Sequence, residues 1–131
     1  MTIEKQIIYW LETARHDLET AEALFEKDKF DWCLFLGHLV LEKTLKAYWV
    51  KVNQTIPPKT HNLIFIANKS NLQLTEAQQE FLATVTDFNI EARYPDEKLA
   101  FYKLCTKGFT VKNLNKIKEM YLWLLNQIQK S

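Results

Sequence analysis

Apolar positions recur every three or four residues along most of the chain, the period of amphipathic helices rather than strands. Over residues 3–27, Ile3, Ile7, Trp10, Ala14, Leu18, Ala21 and Phe25 share one face, and Glu12, Arg15, Glu19, Glu22 and Glu26 form a solvated one. Thr2 is placed to cap this helix. Asp17 lies beside the apolar stripe and so calls for a partner on a neighbouring helix. The link Lys27-Asp28-Lys29 is short enough to turn the next helix back antiparallel. That helix is expected from an Asp31 N-cap to Val52, and from Phe35 onward (FLGHLVLEKTLKAYWVKV) it is apolar almost all round, which places it at the centre of the domain. It nevertheless carries His38, Glu42 and Lys46 four residues apart, in one slowly drifting stripe flanked by Phe35 and Leu39. A polar stripe on a central helix must face a cleft, a second chain or internal hydrogen-bond partners. Gly37, which weakens the helix by about 1 kcal/mol relative to Ala, predicts close approach of another backbone.

Pro57-Pro58 interrupts the helical pattern. Thr60 is then expected to cap a short helix from His61 to about Lys69. Thr75 and Gln78 form a capping box for a fourth helix that buries Phe81, Leu82, Val85 and Phe88. This helix ends near Arg93, because Tyr94 precedes Pro95 and is pushed towards extended geometry. Asp96 to Thr106 reads as a further short helix capped by Asp96 and carrying Leu99, Ala100 and Tyr102. Gly108 would end that connection, and Thr110 would open a last helix striped with Val111, Leu114, Ile117, Tyr121, Leu124 and Ile128. No repeat, low-complexity stretch or strand pattern interrupts the series. The predicted fold class is all-α, an up-and-down bundle of four long or medium helices with one or two short extra ones, in a single domain over residues 1–131.

Composition narrows the functional classes. Two Gly and three Pro leave no room for a phosphate-cradling Gly-rich loop, and neither a Walker nor a Rossmann fingerprint occurs. A net charge of +1 argues against a whole-chain polyanion binder, but the charge is uneven. Residues 1–31 hold eight acids and four bases, whereas residues 98–131 hold seven Lys and one acid, Glu119. Two readings stay open: solvated acidic and basic helix faces lying side by side, or a basic surface for phosphate groups or RNA. Cys33 and Cys105 lack metal-site spacing and lie among apolar residues, as buried free thiols of a reducing cytoplasm do. The start, MTIEKQIIYW, has no h-region, and no run approaches the ~18 apolar residues of a membrane span. Four Trp and eight Phe are many for this length, so some are available to an interface.

Three groups of residues could carry chemistry. His38, Glu42 and Lys46 form either an acid–base group or a Glu42–Lys46 ion pair beside a hydrogen-bonded His, with Lys43 adjacent. His61 is either an anion contact in a first helical turn or a residue that docks the short helix. Arg93, one of two arginines against fifteen lysines, stands at a helix end in FNIEARYPD. There it serves as a bidentate clamp for phosphate or carboxylate, or as a bridge to Asp17 or Glu42. The histidines His16, His38 and His61 are mutually isolated, so no metal site is expected, and no Ser or Cys stands as a nucleophile beside a base.

These residues together resemble the HEPN family (higher eukaryotes and prokaryotes nucleotide-binding domain) over nearly the whole chain. Ala14, Asp17, Ala21 and Leu24 are similar to the family's first-helix pattern A-x-x-D-x-x-x-A-x-x-L. His38-Leu39-Val40-Leu41-Glu42-Lys43-Thr44-Leu45-Lys46-Ala47 is similar to its H-x-x-x-E-K-x-L-K-A segment. Pro57 with Thr60-His61-Asn62-Leu63 resembles the P-x-T-H-x-L opening of the third helix, and Ala92-Arg93-Tyr94-Pro95 the A-R-Y-P segment after the fourth. The resemblance implies a helical bundle that dimerises through its long helices. It also implies a partnership with a minimal nucleotidyltransferase, often as a toxin–antitoxin pair, and in some members metal-independent ribonuclease activity. Such ribonucleases use an Arg followed four to six residues later by a His. Here Arg93 is followed by Tyr94, Pro95, Asp96, Glu97, Lys98 and Leu99, and Arg15 by His16 at once, so that motif is absent. The expectation is therefore a cytoplasmic, non-catalytic, dimeric module without a cofactor. It would bind nucleotide or RNA through Arg93, His38, Lys46 and His61, or partner a minimal nucleotidyltransferase, or do both. Asp17, Glu42, Lys43, Tyr94 and Pro95 would be structural signature positions. The alternatives are a ribonuclease in which His38 or His61 supplies the missing His, and a purely structural interaction protein.

Overall fold

The second helix gathers every other element around itself. The computed structural model describes residues 1–131 as six helices without a strand: α1 (Ile3–Glu26), α2 (Phe30–Asn53), α3 (Leu63–Lys69), α4 (Glu76–Glu91), α5 (Pro95–Leu104) and α6 (Lys107–Lys130). Three helices of 24 residues and one of 16 form the bundle, and the two short ones are α3 and α5. The all-α bundle expected from the periodicity is the fold observed. No other helix is free of α2: α1, α3, α4, α5 and α6 each touch it. Thirteen of its 24 residues are buried, against three in α1, as its all-round apolar character requires. Leu34, Val40, Leu41 and Leu45 of α2 meet Leu63 and Ile66 of α3, Leu82, Val85 and Phe88 of α4, and Ile117 and Leu124 of α6. Phe101, the one buried residue of α5, closes this core with its ring 5.4 Å from that of Phe88.

Asp28, at φ 60°, makes the α1–α2 turn, a left-handed conformation that Asp tolerates better than most residues. Helices α1 and α2 then run antiparallel, as the short link requires, and Trp10, Asp17 and Ala21 meet Lys46, Lys43 and Cys33 in that order. The charge asymmetry is partly internal, because Glu22 of α1 pairs with Lys118 of α6 at 2.9 Å. Cys33 and Cys105 are free and buried, and burial pushes both thiols up to about 12, so both stay protonated. No helix is long and apolar enough to cross a membrane.

Several helix ends differ from expectation. Helix α2 begins at Phe30 without a side-chain cap, and Asp31 is buried in its first turn rather than capping it. Asn62, not Thr60, caps α3 by accepting from the Phe65 amide, which leaves His61 outside the helix. The Thr60 hydroxyl instead accepts from the Asn62 amide. The Thr75–Gln78 capping box forms as expected, but α4 stops at Glu91. Pro95 occupies the first turn of α5 after an extended Tyr94, a position its missing N–H suits, so Asp96 is inside the helix and not its cap. Thr106 caps α6, which makes Gly108 part of its first turn and places Thr110 within it. Gly37 meets the Ile117 side chain rather than a backbone.

Candidate functional site: a shared carboxylate and an unpaired arginine

The stripe on α2 is built around Glu42. Oε1 of its buried carboxylate accepts from His61 Nδ1 at 2.7 Å, and Oε2 from Lys46 Nζ at 2.9 Å. Lys46 also lies 5.4 Å from the centre of the Trp10 ring, so its charge is held by a carboxylate and a π-face together. The expected Glu42–Lys46 pair is thus present, but inside the protein, where removing one partner strands the other. His38 is fully buried, and its Nε2 lies 2.9 Å from the His61 carbonyl. A carbonyl can only accept, so Nε2 carries the proton and Nδ1 is left as an acceptor without a partner. Nε2 is 3.9 Å from Glu42, too far for a hydrogen bond. Burial lowers the His38 pKa, against the opposing pull of the His61 carbonyl and the Glu42 charge, so the ring is held neutral. Glu42 and His38 between them therefore pin both the side chain and the backbone of His61 to α2. The His61 side chain remains 58% exposed, and with Nδ1 committed to Glu42 its Nε2 has no partner in the chain.

Arg93 does not make the expected bridge to Asp17 or Glu42. Asp17 is taken by Lys43 at 2.7 Å, and Glu42 by Lys46 and His61. The guanidinium is fixed in another way. Its Nε donates to the Asn89 carbonyl one turn back at 3.0 Å, and its carbon lies 5.5 Å from the Phe35 ring and 5.9 Å from the Tyr94 ring. No carboxylate of the chain lies within ion-pair distance of it. The two terminal nitrogens, the edge that matches a carboxylate or phosphate, are left without a protein partner. Phe35 precedes His38 by one helical turn, and the charge of Arg93 helps lower the His38 pKa, which places Arg93 at the end of the same stripe.

The four expected contact residues thus separate. Arg93 and His61 are exposed, while His38 and Lys46 are buried beneath them and committed to partners. Of the signature positions, Asp17 and Lys43 tie α1 to α2, and Glu42 is the shared acceptor. Tyr94 and Pro95 form the α4–α5 junction, with the Tyr94 ring against Arg93. Sequence reasoning did not find Asn89, whose carbonyl aims Arg93, or Trp10, which covers Lys46. Both lie at helical spacings that also describe ordinary packing, so spacing alone does not mark them. No group of three or more His, Cys, Asp or Glu side chains converges in a way that could hold a metal ion.

The fold has a counterpart. In the crystal structure of TT1696 from Thermus thermophilus, a chain 19% identical to this one superposes with a TM-score of 0.79, covering 92% of this chain and 97% of that one, a likeness of fold. No curated protein matches the chain. The family model of the HEPN domain matches residues 7–128, nearly the whole sequence. The chain belongs to the HEPN domain family.

Proposed function

We propose that this HEPN domain is a binding module for phosphate-bearing ligands, nucleotide or RNA, and that Arg93 is its anion contact. The observation that carries the reading is the unspent edge of Arg93. A guanidinium fixed by Asn89, Phe35 and Tyr94 has lost its rotamer freedom before any ligand arrives, yet pairs with no carboxylate. His61 supports it from the other side of the stripe, and His38 and Lys46 act beneath as positioning residues. The module works as a homodimer in the cytoplasm, with a minimal nucleotidyltransferase as its protein partner in a toxin–antitoxin pair.

One observation favours a second reading. The Glu42–His61 arrangement, a carboxylate on Nδ1 and an unpaired Nε2 on an exposed ring, is that of an oriented general base. In that reading His61 takes the proton of an RNA 2′-hydroxyl whose phosphate is held by Arg93. One experiment addresses both. Labelled nucleotides and short RNAs are titrated into wild type, Arg93→Ala and His61→Ala, and the RNA is analysed for cleavage in EDTA. Binding should fall about tenfold or more in Arg93→Ala, the range for a charge-assisted bidentate contact. Equal binding by wild type and Arg93→Ala removes Arg93 from the site. Cleavage by wild type that is lost in His61→Ala selects the second reading, and intact RNA excludes it.

A further inference from the structure

Rings and cations alternate across the junction of α2, α4 and α5. Arg93 lies against Tyr94 and Phe35, the Phe35 ring meets the Trp32 ring edge-on at 5.6 Å, and Lys98 Nζ stands 4.8 Å above Trp32. Lys98, like Arg93, takes part in no ion pair. Both cations face a cavity of about 480 Å³ lined by Asp31, Arg93, Pro95, Lys98, Leu99 and Tyr102, within the size range of small-ligand sites. Two further groups in it are unused by the fold. The Tyr102 ring is 62% exposed and joins none of the ring pairs or cation–ring contacts of the chain. Asp31 is buried but belongs to no ion pair, so its carboxylate can accept from an N–H or O–H that enters the cavity.

These demands select a ligand. Two unpaired cations call for phosphate, a free aromatic face for a planar base, and an unpaired carboxylate for a ribose hydroxyl or a base amino group. A bare polyphosphate would leave Tyr102 unused and meet the repulsion of Asp31. We propose that the cavity between the start of α2 and α5 binds one nucleotide unit, with its phosphate at Arg93 and Lys98, its base on Tyr102 and a donor group on Asp31. This rests on the reading of Arg93 as an anion clamp and adds to it a second phosphate contact, Lys98, and the residues that take the nucleoside half, Tyr102 and Asp31. The unit is either a free nucleotide or part of a single strand.

The test is fluorescence anisotropy with a fluorescein-labelled eight-nucleotide oligouridine, using AMP and inorganic tripolyphosphate as competitors. Wild type, Arg93→Ala, Lys98→Gln and Tyr102→Ala are compared over a salt series. Tyr102→Ala, a change at an exposed position, should weaken oligouridine binding about tenfold through lost stacking and leave the salt slope unchanged. Lys98→Gln and Arg93→Ala should each flatten the log–log salt slope by about 0.7, the value for one phosphate contact on a single strand. AMP or unlabelled oligouridine should compete better than tripolyphosphate. Competition by AMP at the affinity of the oligomer identifies a free nucleotide, and its failure while unlabelled oligouridine competes identifies a strand; either agrees with the proposal. Wild-type behaviour of both Lys98→Gln and Tyr102→Ala, or competition by tripolyphosphate as strong as that of the nucleotide probe that competes, overturns the cavity while leaving the Arg93 clamp in place. Loss of binding confined to Arg93→Ala has the same meaning, and no binding of any probe by wild type removes both.

Discussion

His38 is the most constrained side chain of the site. It is a fully buried neutral imidazole that spends its one donor on the His61 carbonyl. Its pKa is lowered from an ordinary value of 6.5, chiefly by burial, with the His61 and Arg93 charges contributing in the same direction and Glu42 opposing. In the unfolded chain the ring binds a proton near its ordinary pKa, but in the folded protein it resists until a lower pH. Between those two values the unfolded state holds more protons, so folding stability falls as pH drops through 6.5 and levels off below the folded pKa. Urea midpoints should therefore be flat above neutral pH and decline below it, with a slope of up to about 1.4 kcal/mol per pH unit from this group. In His38→Gln, whose amide can still donate to the His61 carbonyl, the slope should shrink. An identical slope in that variant would assign the effect to other groups. The four-residue spacing of His38, Glu42 and Lys46 was legible in the sequence because helical geometry alone puts them on one stripe. What they face was not, since His61 lies 23 and 19 positions away from His38 and Glu42 and reaches them through a non-helical connection.

At the scale of the element, the two glycines should respond oppositely to the same substitution. A Cβ on Gly37 would lie 2.6 Å from Ile117 Cδ1, and Ile117 is fully buried against α2. The helix-propensity gain of about 1 kcal/mol from Gly37→Ala is opposed by an overpacking cost of roughly 1–3 kcal/mol. A net loss of up to about 2 kcal/mol is expected. Gly108 has nothing within 4 Å of the same added atom, so Gly108→Ala should gain about 0.5 kcal/mol, mainly by restricting the unfolded chain. Thermal or urea unfolding of the two variants checks the signs, and stabilisation of Gly37→Ala to the level of Gly108→Ala would show that Ile117 yields freely. The same region explains where element boundaries differ from the sequence reading. A glycine and two threonines around residue 108 offered several plausible starts, and Thr106 prevails because its hydroxyl reaches the Phe109 amide. Asn62 prevails over Thr60 because His61, held by both Glu42 and His38, keeps the chain outside the helix for one more residue. Helix existence follows from local periodicity, whereas an end such as that of α3 is decided by contacts with distant residues.

For the molecule as a whole, the surface supplies the argument for association. Ile8 and Tyr9 are about half exposed on the outer side of α1, close to a shallow depression lined by Met1, Gln6, Trp10, Ile56 and Pro57. Helix α1 packs on α2 and is tied to α6 by Glu22–Lys118, so nothing within the chain covers this face. A stable interface of ordinary size takes about 800 Å² from each partner, roughly a tenth of the 7577 Å² that one chain exposes. An α1-centred contact can supply that area, and it leaves the Arg93 junction, at the far end of α2 from Trp10, open to ligand. Light scattering at micromolar concentration should therefore give twice the 15.6 kDa chain mass, and Ile8→Lys, which places a charge in the contact, should return it to one. A wild-type mass of one chain would sink the dimer. A dimeric Ile8→Lys would instead move the interface to another face, with the exposed Leu99, Leu104 and Leu122 of α5 and α6 next in line. The two outcomes also bear on the cavity, because an interface that covers Leu99 would enclose Tyr102 and Lys98, and the ligand would then bind between two chains rather than on one.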